Sequence, residues 1–105
     1  MQWLATVYGK PLPGDTLQTA LRSGEVLCAV MNKIKPGAIK AHDNARLAFR
    51  QMENIGMFLQ ACRAYGLADT KLFVTIDLFE GTHIRQVLSC LTALRLRAEA
   101  NGFRC

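Results

Sequence analysis

At 105 residues, half of them apolar, the chain is long enough to bury one core without disulfides or a metal and fits a single domain. Thirteen Lys and Arg against eight Asp and Glu leave a net charge of +5, with both ends basic (+3 over residues 1–40 and +3 over 81–105) and the middle near neutral (−1 over 41–80), a balance that favours an acidic partner. No stretch approaches the ~18 uncharged apolar residues of a membrane span, and the opening MQWLATVYGKP lacks the basic segment and apolar core of a signal peptide, so a soluble, cytoplasmic protein is expected.

Apolar spacing is helical almost throughout, with no run of period-2 alternation. Trp3, Leu4, Val7 and Tyr8 share one face of a short helix that Gly9 and Pro11 end. Pro13-Gly14-Asp15 starts a second short helix carrying Leu17 and Leu21, stopped by Ser23-Gly24. From Glu25 the run VLCAVMN predicts about three helical turns, apolar on more than one face, the mark of a helix buried between others. Pro36 ends it, and residues 36–46 form a loop. Leu47, Phe49, Met52, Ile55, Phe58, Leu59, Cys62 and Tyr65 define a long amphipathic helix over 47–65, with Gly66 placed to close it at positive φ. Asp69 can cap a short turn carrying Leu72 and Phe73. Asp77 and Glu80, three apart, resemble a capping box at the start of a further turn. Gly81-Thr82 then introduces the last helix, whose face is Ile84, Val87, Leu88, Leu91, Leu94 and Ala98, and Asn101-Gly102 stop it. The fold class is all-α: four main helices plus short helical turns in one domain over residues 1–105, irregular rather than an up-down bundle.

The residues with possible chemistry do not assemble a catalytic set. His42 and His83 lie far apart in sequence, with no serine or cysteine placed to form a nucleophile pair with either. Cys28, Cys62, Cys90 and Cys105 contain no Cys-x-x-Cys spacing, which argues against zinc; the first three sit in apolar periodic segments and read as reduced core residues. Asp77 and Glu80 fit capping better than an acid pair, and Trp3 fits a core anchor better than a stacking platform. The glycines are scattered singly, so no phosphate-binding loop exists. The expectation is a non-enzymatic protein without cofactor or metal.

The order of motifs resembles a calponin homology domain, most closely the single-domain type of calponin and transgelin. The resemblance covers nearly the whole chain. It rests on Trp3, on Leu21, Gly24, Val26, Leu27 and Cys28, and on Asn32 with Pro36-Gly37. It continues through Phe49-Arg50-Gln51-Met52-Glu53-Asn54-Ile55, Phe58-Leu59, Tyr65-Gly66 and Phe73, then Asp77-Leu78-Phe79-Glu80-Gly81, Val87 and Leu94. In that family Ser23-Gly24 is the break between two helices and VLCAVMN is the buried central helix. Family domains usually begin a turn or more before the tryptophan. Here only Met1 and Gln2 precede Trp3, so a truncated, frayed first helix and a partly shielded Trp3 are expected. The remaining core is expected to link through Leu27, Phe58, Leu59, Phe73 and Leu91.

The basic residues are the plausible working surface. Lys33, Lys35 and Lys40 bracket the Pro36-Gly37 turn, while Arg95, Arg97 and Arg104 crowd the last helix and tail. One reading is a solvated face, with cations near a helix C-terminus gaining about 0.3–1 kcal/mol from the macrodipole. The other is a contact surface for an acidic partner. No aromatic is interleaved with either group, which disfavours nucleic acid, and no exposed aromatic anchor is evident. The resemblance implies an interaction module, acting as a monomer, whose partner is a cytoskeletal filament (actin foremost, a microtubule as the alternative) or a signalling protein.

Overall fold

The computed structural model describes residues 2–12, 14, 16–42 and 46–103, and among them there is no strand. The chain runs through α1 (Gln2–Tyr8), α2 (Leu17–Leu21), α3 (Glu25–Ile34), α4 (Ala48–Ala64), a 3-10 turn (Asp69–Lys71), α5 (Thr75–Phe79) and α6 (Ile84–Ala100). The central helix is α3, which packs against α1, α2 and α4, while α5 and the 3-10 turn lie against α6. Val26, Leu27, Cys28, Val30 and Met31 are all buried, so the apolar run of α3 faces neighbours on several sides. A helix of ten residues is marginal by itself; burial on this scale is what holds it.

The most extensive helix pairing is the seam between α3 and α4. Gly24, at φ 77°, precedes α3, and a Cβ there would stand 2.6 Å from Asn54 Cβ and 2.8 Å from the Ile55 nitrogen. Both the left-handed backbone and the contact therefore require glycine. Asn54, wholly buried, is the polar pin of this seam. Its Oδ1 accepts from the His42 amide at 2.8 Å, and its Nδ2 donates to the carbonyls of Ser23 and His42, each at 3.1 Å. The Cys28 thiol donates to the Asn54 carbonyl at 3.3 Å. One side chain thus ties the α2–α3 break, α4 and the loop before it, and no group of Asn54 is left unsatisfied, as burial demands.

Asn32 explains where the apolar run of α3 stops. Its amide pairs in both directions with the Ile39 backbone, donating to the carbonyl at 2.9 Å and accepting from the amide at 2.8 Å. That clamp folds the chain back over α3 after the Pro36-Gly37 turn and lets Ile39 enter the core.

Most of the expected core is in place: Leu27, Phe58, Phe73 and Leu91 are buried, and the Phe58 and Phe73 rings pack tilted with centroids 6.5 Å apart. Several expectations are corrected. Trp3 is 9 % exposed and joins the core through α1, in line with its expected role as a core anchor and not partly shielded. Leu59 lies only partly buried at its edge. Leu47 and Phe49, assigned to the buried face of α4, are 54 % and 57 % exposed. At about 100° per residue Phe49 stands about 180° from Phe58, so both cannot face the core. The helix spans 48–64, with Leu47 and Tyr65 flanking it as caps.

The capping assignments move as well. Thr16 caps α2, its hydroxyl accepting from the Thr19 amide at 3.1 Å; Pro13 and Asp15 lie outside the described residues. Asp69 does not cap the 3-10 turn but accepts from Arg63 Nε at 2.9 Å. Asp77 lies within the first turn of α5, and its Oδ2 accepts from the Val74 amide at 3.1 Å, so it is the acid that reaches back. Glu80, offered as the second member of that box, follows the last residue of α5.

Cys28, Cys62 and Cys90 are buried thiols without disulfides. Burial, reinforced by Glu25, pushes the Cys28 thiol up to about 12. Its hydrogen bond with Cys90, together with burial, raises Cys62 strongly too. Cys105 lies outside the described residues.

Candidate interaction surfaces

The three lysines grouped by sequence do not form one patch. Lys33 and Lys35 stand exposed at the C-terminal end of α3. The Lys33 amine reaches over the end of α1, 3.3 Å from where a Cβ on Gly9 would lie. Lys10, which sequence reasoning passed over because it is isolated along the chain, follows that same helix end. Its amine sits over the Tyr8 ring, 4.9 Å from the centroid. The molecule therefore has a basic end where α1 and α3 both terminate, made of Lys10, Lys33 and Lys35. Helix C-termini favour cations, which helps hold these amines in place. Among the described residues no carboxylate pairs with any of the three. Lys40 stands apart, beside Met57, Gln60 and Ala61 on the flank of α4.

This basic end does bring an aromatic ring beside its cations, contrary to the expectation from spacing along the chain. Tyr8 is half-buried beside Lys10, although the cation already covers its ring. Phe49, an exposed aromatic, has the Arg50 guanidinium 5.6 Å from its centroid.

Arg95 and Arg97 are not neighbours either. Two residues apart on α6, they diverge by about 160° around the axis. Arg95 faces Glu99 at a long 3.5 Å, an exposed pair of little energetic weight. Arg97 lies over Gly66, its Nε donating to the Tyr65 carbonyl at 3.3 Å. It braces the C-terminal end of α4 against α6. Arg104 lies outside the described residues. What α6 does present, and what spacing along the sequence concealed, is Arg85, an exposed Leu96 and Arg97 on the side that Lys71 of the 3-10 turn adjoins.

The histidines are each engaged with a carboxylate. His42 Nε2 lies 3.0 Å from Glu53 Oε1, and His83 Nδ1 lies 2.8 Å from Asp77 Oδ1. The second contact ties the start of α6 to α5, and the His83 amide also donates to the Asp77 carbonyl at 3.3 Å. Among the described residues no group of three His, Cys, Asp or Glu side chains is arranged to hold a metal ion, and no helix is long and apolar enough to cross a membrane.

Comparison with known proteins accounts for the order of these features. The calponin homology (CH) domain family matches residues 1–100. Myophilin from Echinococcus granulosus is 44% identical over 96 residues, which make up 90% of this chain and 50% of that protein. The chain therefore spans about half the length of that relative. Among solved structures, that of Vav1 inhibited by an allosteric inhibitor superposes with a TM-score of 0.85 at 28% identity, over 98% of this chain and 22% of Vav1. The calponin-homology domain of an IQGAP protein from Schizosaccharomyces pombe gives a TM-score of 0.75 at 30% identity, over 89% of this chain and 60% of that one. With Trp3 buried in α1, Gly24 and Asn54 at the central seam and Asn32 closing α3, the chain belongs to the calponin homology domain family.

Proposed function

We propose that this domain is a non-enzymatic interaction module of the cytoplasm, associated with the cytoskeleton, which acts as a monomer and contributes a weak contact to actin filaments through its basic end. The observation that carries the reading is the convergence of Lys10, Lys33 and Lys35 at the shared terminus of α1 and α3, exposed and without a carboxylate partner among the described residues. Such a surface suits an acidic filament. Charges of this kind steer encounter, and their reach is about 8 Å at physiological salt. Nothing at this end supplies a buried anchor, since Tyr8 is half-buried and occupied by Lys10, and interfaces lacking a central hot spot seldom bind tightly. Resemblance to the single-domain calponin type agrees with a modest contribution, because strong actin binders of the family mostly use two domains in tandem.

The test is co-sedimentation of the domain with purified actin filaments and with microtubules, side by side at low ionic strength. The expected result is pelleting with actin. Pelleting with microtubules alone would replace actin by tubulin, and pelleting with neither would leave a signalling scaffold as the function.

A further inference from the structure

A second surface, built from other elements, has a different character. Residues 66–71 run alongside α6 and leave a trough between them. Its apolar floor comes from Leu88, Ala93 and Leu96, and its cations are Lys71, Arg85 and Arg97. Leu96 is 61 % exposed, the one large apolar residue among the outward positions Arg85, Ser89, Thr92 and Leu96 of α6. No carboxylate lines the trough, although Asp69 is nearby in sequence; its carboxylate is turned to Arg63. Glu99 is not among the lining residues and faces Arg95.

The trough is also fixed at both ends by α6. Gln86 donates to the carbonyls of Leu72, at 2.8 Å, and Thr70, at 3.4 Å, while Arg97 donates to the Tyr65 carbonyl at 3.3 Å. The far wall is therefore stapled in place before any partner arrives, which lowers the ordering cost of binding. Serine, threonine and alanine keep the floor shallow enough for a helix to lie along it. From Arg85 to Arg97 the rise of α6 covers about 18 Å, the length of a helix of about twelve residues.

We propose that this trough docks an acidic amphipathic helix from a partner protein, its apolar stripe seated on Leu96 and Ala93 and its carboxylates meeting Lys71, Arg85 and the free edge of Arg97. Apolar anchors at i, i+3 or i+4, and i+7 would give affinity, and flanking acids would set orientation. Charge complementarity chooses this occupant. A second copy of this basic chain would place like charges in contact, and a purely polyanionic ligand would leave Leu96 unused.

The test uses the whole 105-residue chain. A phage-displayed library of random 16-residue peptides is panned on the immobilised domain at physiological salt, and enriched peptides are synthesised for fluorescence anisotropy and for amide shift mapping by NMR. Enrichment of sequences pairing acidic residues with helically spaced apolar ones is expected, with shifts confined to residues 66–72 and 85–97. Leu96→Asp and Lys71→Glu, both at exposed positions and checked for unchanged circular dichroism, should each weaken binding at least tenfold. The double variant Lys33→Glu, Lys35→Glu should leave peptide binding intact, which separates this outcome from that of the filament reading. No enrichment, shifts at another face, or peptide binding that survives Leu96→Asp would overturn the proposal. Equal binding of polyglutamate would reduce the site to charge alone, and binding of phosphatidylserine vesicles without any enriched peptide would assign it to a lipid surface; either result also overturns it.

Discussion

The α3–α4 seam and the basic end of the molecule are held on opposite terms. At the seam, Gly24 has no room for a methyl group, Asn54 satisfies three backbone groups at once and the Cys28 thiol donates to the Asn54 carbonyl. At the basic end, Lys10, Lys33 and Lys35 stand in water over two helix termini and one half-covered ring. The seam is set by close steric and hydrogen-bond fit, whereas the basic end is defined by the sign of its charge. Stability and the filament contact proposed for the basic end would therefore reside in different residues, so that each could be altered while the other is left alone.

The largest effect should come from the core side of that comparison. Phe58→Ala, on the buried face of α4, is expected to cost roughly 3–5 kcal/mol, while Phe49→Ala, half a turn away on the same helix, should stay within about 0.5 kcal/mol. Urea denaturation of both variants measures the contrast, and similar losses would mean that the facing of α4 is wrong. At the seam itself, Gly24→Ala forces a left-handed residue against Asn54 and Ile55. It should cost about 2–4 kcal/mol from backbone strain and overpacking together. A midpoint within error of the parent would show that α3 and α4 can separate more freely than their contact implies.

Alkali should weaken the seam. Folding raises the Cys28 thiol to about 12, so above the ordinary thiol range the unfolded chain releases a proton that the folded chain keeps. The stability contributed by the neutral thiol is complete below about pH 9 and is lost as pH rises toward 12. Denaturant midpoints followed from pH 7 to 11 should fall less steeply for Cys28→Ala than for the parent. Parallel curves would remove Cys28 from the account of alkaline sensitivity. A small stability effect belongs to Lys33→Glu with Lys35→Glu, about 1 kcal/mol at most from the helix end they leave, read as a shift in thermal midpoint. A larger loss would tie the basic end to the fold and blur the comparison.

Helical facing explains which parts of this arrangement were legible in the sequence. The periodic apolar positions of α3 and α6 point to their buried faces, and Ser23-Gly24 marks the start of α3, because glycine there meets a backbone need that other residues do not. Phe49 was misplaced because loose spacings of two to four residues tolerate half-turn errors that the helix does not. The cations were the least legible. Arg95 and Arg97 are adjacent in text and divergent around α6, whereas Lys10 and Lys33 are distant in text and meet at two helix ends. Charge clusters arise from tertiary packing, which local pattern does not encode. The same holds for the trough beside α6, whose Lys71 and Arg85 come from separate elements.

The central claim is that the basic end contacts an acidic filament by charge alone. Its most direct test is the salt dependence of actin co-sedimentation, compared between the parent domain and the variant with Lys10, Lys33 and Lys35 all changed to Glu. The account predicts that the parent pellets at low salt and is largely released near physiological salt, while the variant stays in the supernatant throughout. Pelleting of the parent that persists at high salt, or pelleting of the variant at the parent's level, would contradict it.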